Sequence, residues 1–207
     1  MKKLSLLLFF SLYIILSSYN PCRAQDIPHE FSGFRLGQNI SEVSDELRMN
    51  TALPLRHMEW INEVEIIPPK NYKSGLIWYG NCASPGRIVR IIMKYSDSSK
   101  KFYSTLLDKL KERYGEPDEW QGDAFRVVLS WKWSFKDKQG NTISMELQHN
   151  TQDPGSKMGN SIKLTMGNLM EEESECWDKK AVEDEVHGEL NKIKTDRNTD
   201  WNTLLPH

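Results

Sequence analysis

What this chain has little of narrows its chemistry first. Beyond its N-terminus it has no long hydrophobic run, and its mean hydropathy is −0.61. No later segment approaches the ~20 consecutive apolar residues that a bilayer-spanning helix needs, so no stable membrane insertion is expected. An excess of positive charge is also missing: Lys and Arg number 27 against 29 Asp and Glu, and the two signs are interspersed on nearly every segment. That speaks against nucleic acid, whose phosphate backbone is met by clustered Lys and Arg. The chain contains no Gly-x-Ser-x-Gly elbow, no phosphate-cradling glycine loop and no His-Glu-x-x-His, which removes the enzyme classes those motifs mark. No cofactor is implied.

The one apolar run lies at the start. Lys2 and Lys3 precede Leu4 to Leu16, and the polar stretch from Ser17 to Ala24 follows. About thirteen apolar positions make a helix of about 20 Å, short of a hydrocarbon core of about 30 Å. Residues 1–24 therefore read as a secretory signal peptide cut after Ala24, with the small residues Cys22 and Ala24 before the cut. Lipidation of Cys22 is disfavoured, because Tyr19, Asn20 and Pro21 stand where a lipidation signal wants a branched aliphatic and two small residues. A periplasmic or secreted protein is expected.

Cleavage would leave Cys82 and Cys176, which in an oxidising compartment read as one disulfide. Closing a loop of about 93 residues contributes on the order of 4 to 5 kcal/mol in the chain-entropy model. A nucleophilic or metal-bound thiol would want a histidine partner beside it.

The mature chain then alternates helical and strand patterns. Asn39, Ser41 and Glu42 form a helix-start signature, with Val43 and Leu47 on one face and an end near Asn50. Period-two patterns predict strands at Met58 to Pro68, Leu76 to Tyr79 and Ile88 to Tyr95, the last with Arg90 and Lys94 on its wetter side. Phe102, Leu106, Leu107, Leu110 and Tyr114 mark a helix over 99–114, stopped by Gly115 and Pro117. Six apolar hits from Phe125 to Phe135 predict the strongest strand. Asp137 to Asn141 supplies a hairpin turn, and strands carrying Ile143, Met145 and Leu147, then Ile162, Leu164 and Met166, follow. Glu171 to Lys194 returns to helical spacing, and residues 195–207 read as a loosely held tail.

The fold class is thus α+β: two helix-then-three-strand antiparallel units, 35–96 and 97–168, sharing or abutting a sheet, with a C-terminal helix, in a single domain spanning 25–194. The segment Leu36-Gly37-Gln38-Asn39-Ile40-Ser41-Glu42-Val43 is similar to the helix start of small exported helix-plus-sheet modules, the SmpA/BamE outer-membrane assembly lipoproteins and the beta-lactamase-inhibitor proteins. The resemblance covers about eight residues and implies an exported protein-binding module. The chain departs from the assembly lipoproteins in lacking a usable lipidation site.

Candidate chemistry is sparse. His149, near Glu146 and Asp153 in sequence, is the one candidate general base, and a small exported hydrolase using it is the alternative reading. A strand-end histidine of this kind is ordinarily solvated. Glu183, Asp184 and His187 have helical spacing, but a charged helix face explains them, and no metal site is expected. Trp131 and Trp133 share the parity of the core, whereas Trp120 is free to serve as a binding anchor. Arg126 and Lys132, on the polar parity of the strongest strand, offer hydrogen bonds to a partner. The favoured expectation is a non-enzymatic binding or inhibitor-type module that recognises a protein or cell-envelope component through Trp120, Arg126 and Lys132.

Overall fold

A computed structural model describes residues 27–150 and 159–197, with side chains of the last helix described only to residue 183. The leader with its cut after Ala24, residues 151–158 and residues beyond 197 lie outside the described residues. The chain is α+β with antiparallel sheets. A short ribbon, β1 (Glu30–Phe31) and β2 (Phe34–Arg35), leads into a 3-10 helix (Ile40–Glu46). Then come β3 (Leu47–Leu55), β4 (Met58–Ile66), β5 (Tyr72–Gly80) and β6 (Ile88–Tyr95). Helix α1 (Lys100–Tyr114) precedes β7 (Glu119–Trp120), β8 (Val128–Lys136), β9 (Thr142–Asn150) and β10 (Ser161–Met166), and α2 (Gly167–Arg197) follows.

The eight strands from β3 onward form one sheet in the order β3-β4-β5-β6-β10-β9-β8-β7. Two runs of consecutive hairpin partners meet where β6 pairs with β10. Each run holds four strands, not three. The extra members are β3 and β7, neither of which alternates in sequence: β3 pairs with β4 only near its two ends, with register shifts between Arg48 and Leu53 and again before Leu55, and β7 has only two residues.

Strand register explains which face is the core. Val64, Ile77, Ile91, Leu164, Met145 and Trp133 are successive cross-strand partners over six strands, and none is more than 3% exposed. Six large apolar side chains in one row make a continuous buried stripe, the sheet's main stabilising contact. Helix α1 covers part of this face. Its Phe102 ring lies 5.0 Å from Tyr95, its Tyr114 ring 5.7 Å from Phe135, and the Trp133 indole donates to Gly115 O at 2.8 Å. Phe34, Leu36, Ile40 and Val43, all buried, add the N-terminal segment to the core.

Local expectations are met where capping chemistry decides. Asn39 accepts from the Ser41 amide at 3.0 Å and donates its own amide to Glu42 at 3.2 Å, completing the capping box. The helix so started is 3-10, however, and ends at Glu46, with Val43 off helical geometry; Leu47 opens β3 instead of extending a helix face. Ser99 caps α1 through the Phe102 amide, and the hairpin at Asp137 closes through Asn141, with Gly140 at φ 89°.

The Glu63 side of the sheet is less wet than its sequence predicts. Lys94 is only 7% exposed, and Arg90 is half-buried against the Trp78 ring at 4.3 Å. Helix α2 reaches this side at one corner. Gly80 continues the Leu76 and Trp78 parity, and a Cβ there would overlap the Glu173 carboxylate. Cys176 of α2 is bonded to Cys82, as the cysteine count predicts.

Candidate binding groove

The groove is built on a cross-strand tryptophan pair. Trp120 and Trp131 are register partners of β7 and β8, with ring centres 4.7 Å apart at 70°, the edge-to-face geometry aromatic pairs favour. Gly122 makes the pair possible, since a Cβ at that position would overlap the Trp120 ring. Leu129, two residues before Trp131, extends the apolar floor, while Tyr103 and Leu107 of α1 form the opposite wall. The space between them amounts to about 560 Å³, within the range of ligand clefts.

A tight loop forms its rim. Asp123 donates its amide to Val128 O at 3.1 Å and accepts the Val128 amide on its carboxylate at 3.0 Å, while the Arg126 amide donates to Asp123 O. Arg126 takes φ 56°, the left-handed region disfavoured for a residue with a Cβ. The chain therefore leaves the sheet before β8 begins, and Phe125, expected as the first inward residue of the strand, is 90% exposed, between Ala124 and Arg126 in sequence but not itself among the residues that line the groove. Trp120 is 39% exposed. Lys100, Arg126 and Asp123 supply the charges.

Of the three residues expected to bind, Trp120 and Arg126 line this one groove. Lys132 does not. It lies on the other face of β8, paired with Glu119 at 3.2 Å, and hydrogen bonding from Lys132 holds the Glu119 carboxyl below its ordinary value. That face carries a ladder of register partners: Glu65, Leu76, Ile92, Lys163, Glu146, Lys132 and Glu119. Its charges satisfy one another, with Arg48 to Glu65 at 2.9 Å and Lys163 to Glu146 at 3.0 Å. Beside them Arg90 donates to Thr165, and Trp78 donates its indole N–H to Glu63 at 2.6 Å. Burial lowers the Arg90 guanidinium from its ordinary value, while the Glu146 charge opposes that shift.

His149 is not a solvated strand-end residue. It is 2% exposed, its Nδ1 lies 2.6 Å from Asn160 Oδ1, and its ring stacks on Tyr103 at 5.1 Å. Since the Asn160 amide nitrogen donates to the carbonyls of Asp97 and Ser99, its oxygen faces His149 as acceptor and Nδ1 carries the proton. The network ties the β9–β10 edge to the start of α1. Glu146 has the opposite parity on β9 and bonds Ser130 and Lys163, and Asp153 lies outside the described residues. Among the described residues no cluster of His, Cys, Asp and Glu has metal-binding geometry. The side chains of Asp184 and His187 are outside them.

Two features escape sequence reading. Tyr103 falls within the apolar stripe of α1, four residues before Leu107 and seven before Leu110; it is 4% exposed, and its hydroxyl has no hydrogen-bond partner among the described residues. Burial pushes that phenol up to about 12. Glu173, one acid among several in its helix, is 1% exposed and accepts four backbone N–H groups of the β5–β6 loop. The spacing of Tyr103 with Leu107 and Leu110 is a signal that could have found it; Glu173 carries none, because its burial depends on packing between distant elements.

No family model matches the chain, and no match was found among curated proteins or solved structures.

Proposed function

We propose that the chain is an exported, non-enzymatic binding module that captures a protein or cell-envelope component in the Trp120–Trp131 groove. One observation carries the reading: the tight loop that lends Asp123, Ala124 and Arg126 to the lining of the Trp120–Trp131 groove also holds Phe125 out in water at 90% exposure. Large apolar groups clustered at a surface mark interaction sites, whereas scattered ones do not. The Cys82–Cys176 bond suits an oxidising compartment, and no described helix is long and apolar enough to cross a membrane. The resemblance of residues 36–43 to exported binding modules points the same way. The opposite sheet face is the weaker candidate, because its ion pairs are already closed within the protein. Hydrolysis by His149 is disfavoured by its burial and by its bond to Asn160.

Replacing Phe125 with p-benzoylphenylalanine in the full chain, expressed in its own host, tests the reading. Irradiation should give a discrete protein adduct that disappears when Trp120→Ala is added. Absence of any adduct, or one indifferent to Trp120, would overturn the reading.

A further inference from the structure

We infer that a second cleft, sharing no residue with the tryptophan groove, binds a small hydroxylated carboxylate of the hexuronic acid kind, with Arg87 holding the carboxylate. Four segments far apart in the chain meet there. Leu36 and Gln38 come from the turn after β2, Arg87 from the end of the β5–β6 loop, Gln139 from the β8–β9 hairpin, and Met166 with Leu169 from the join of β10 and α2. The space amounts to about 660 Å³, within the range of ligand clefts and roomy enough for a sugar ring and its neighbour.

The sign of the ligand follows from which charges are already met. Formally the lining is balanced, with Arg35 and Arg87 against Glu42 and Asp137. Glu42 accepts the Asn39 amide and the Gln38 side-chain amide. Asp137 accepts the amides of Gln139 and Asn141 on one oxygen and the Asn141 side chain on the other. Arg35 faces Glu30 at 3.3 Å. The Arg87 guanidinium is exposed and has neither an ion pair nor a hydrogen bond among the described residues. Its fork of N–H groups matches the two oxygens of a carboxylate. The backbone beneath it is set in advance: Gly80 donates to Arg87 O at 2.9 Å, the Arg87 amide donates to Ser84 O at 3.1 Å, and the Ile88 amide donates to Gln38 O at 2.9 Å. Little main-chain order then has to be created on binding.

The hydroxyls follow from the other walls. Gln139 is exposed, and its side-chain amide has no partner among the described residues; the His29 ring, 4.0 Å from Asp137, is beyond hydrogen-bond distance of it. An amide and a neutral imidazole each donate and accept, as a hydroxyl does. Beneath them Leu36, Met166 and Leu169 are buried and form an apolar floor on which the C–H face of a sugar ring can pack. Gly37, at φ 77°, keeps that floor open, since a Cβ there would meet only Leu169, at 4.0 Å. A fatty acid would leave Gln139 and His29 unmet, and inorganic phosphate would leave the floor bare.

The probe is sodium D-galacturonate, titrated into the oxidised mature protein by isothermal calorimetry beside D-galactose, D-galactosamine and acetate. Saturation is expected with a Kd below about 1 mM, and galactose and acetate should each bind about tenfold more weakly or worse. Arg87→Ala should weaken galacturonate about tenfold at an unchanged melting temperature, because the side chain it removes has no partner among the described residues. Arg87→Lys should keep part of the binding, since the charge stays and the fork is lost. Gln139→Ala should weaken galacturonate about threefold and leave acetate unchanged. Tetragalacturonate tells the sources apart: tighter binding than the monomer marks a polysaccharide end, and equal or weaker binding a free acid. Galactose or acetate bound as tightly as galacturonate, galactosamine bound more tightly, no saturation up to about 10 mM, or wild-type affinity in Arg87→Ala would overturn the inference.

Discussion

Glu173 accepts the Cys82 amide at 2.6 Å, and one helical turn later Cys176 is bonded to the Cys82 sulfur, so one loop is fastened to α2 by charge and by covalent bond at the same residue. The same carboxylate takes the amides of Asn81 at 3.1 Å, Ala83 at 3.1 Å and Ser84 at 2.6 Å. Four donors converge on an acid that is 1% exposed. Glu173→Ala would strand them. The expected loss is about 3 kcal/mol of unfolding free energy, read by urea denaturation of the oxidised protein. Glu173→Gln places an NH2 group against N–H donors, so it should cost nearly as much; wild-type stability in the Gln variant would show that the charge is not what holds the loop.

Replacing Cys82 and Cys176 together by Ser opens a loop spanning 94 residues. The chain-entropy model predicts a loss on the order of 4 to 5 kcal/mol, less if the reduced chain stays compact. Because the Glu173 contacts do not need the sulfur bond, the folded Ser variant should keep α2 docked, as read by slow amide exchange at Cys82→Ser and Ser84. Fast exchange throughout the loop would mean that the disulfide alone positions it.

His149→Ala should behave as a core variant. It removes the ring stacked on Tyr103 and leaves Asn160 without its partner, an expected cost of about 2 to 3 kcal/mol. Measured well below its melting temperature, the variant should retain the Phe125 adduct. Loss of the adduct from a folded His149→Ala protein would contradict a purely structural role.

Tyr103→Phe deletes a buried hydroxyl that has no partner among the described residues and should raise stability by about 1 kcal/mol. No gain, or a loss, would show that the hydroxyl is satisfied in solution.

The tyrosines also set an alkaline limit. Burial raises Tyr103 from an ordinary value of 10.0 up to about 12 and raises Tyr95 further, with the Tyr72 charge and hydrogen bond adding to the latter. Both values are higher in the folded chain than in the unfolded one, so the contribution is whole below the unfolded value and is lost as pH climbs through the folded one. Stability should stay level up to about pH 10 and fall beyond it, more gently in Tyr103→Phe. Tyrosinate absorbance during the same titration should show these two phenols ionising only as the chain unfolds.

Much of the core was legible because alternation and caps are local. Trp133, Phe135, Ile143, Met145, Leu147, Ile162 and Leu164 are buried where period two puts them, and Cys82 meets Cys176. The exceptions have particular causes. Phe125 keeps the alternation of the strand, but the Asp123 turn and the left-handed Arg126 take it off the sheet first. β3 is hidden because its middle, residues 49–52, skips the ladder and its register shifts on either side. His149 and Lys94 look wet in sequence and are buried by segments far along the chain. Half of the candidate groove was readable as an unconstrained Trp120 and a basic Arg126, yet only the β7–β8 register brings them together and turns Lys132 away.

The seam between β6 and β10 has a consequence for the order of events in synthesis. When β6 leaves the ribosome, its partner on one side, β5, already exists, but the strand for its other side ends at Met166, 71 residues beyond Tyr95. Until then a strand made of Ile88, Val89, Ile91 and Met93 has an unsatisfied edge, the kind of template that recruits the wrong chain. Closure of so distant a pair is slow compared with hairpin formation. The nascent chain therefore passes through an interval in which its first meander is sticky, and a holding factor or rapid completion of the second meander governs its yield.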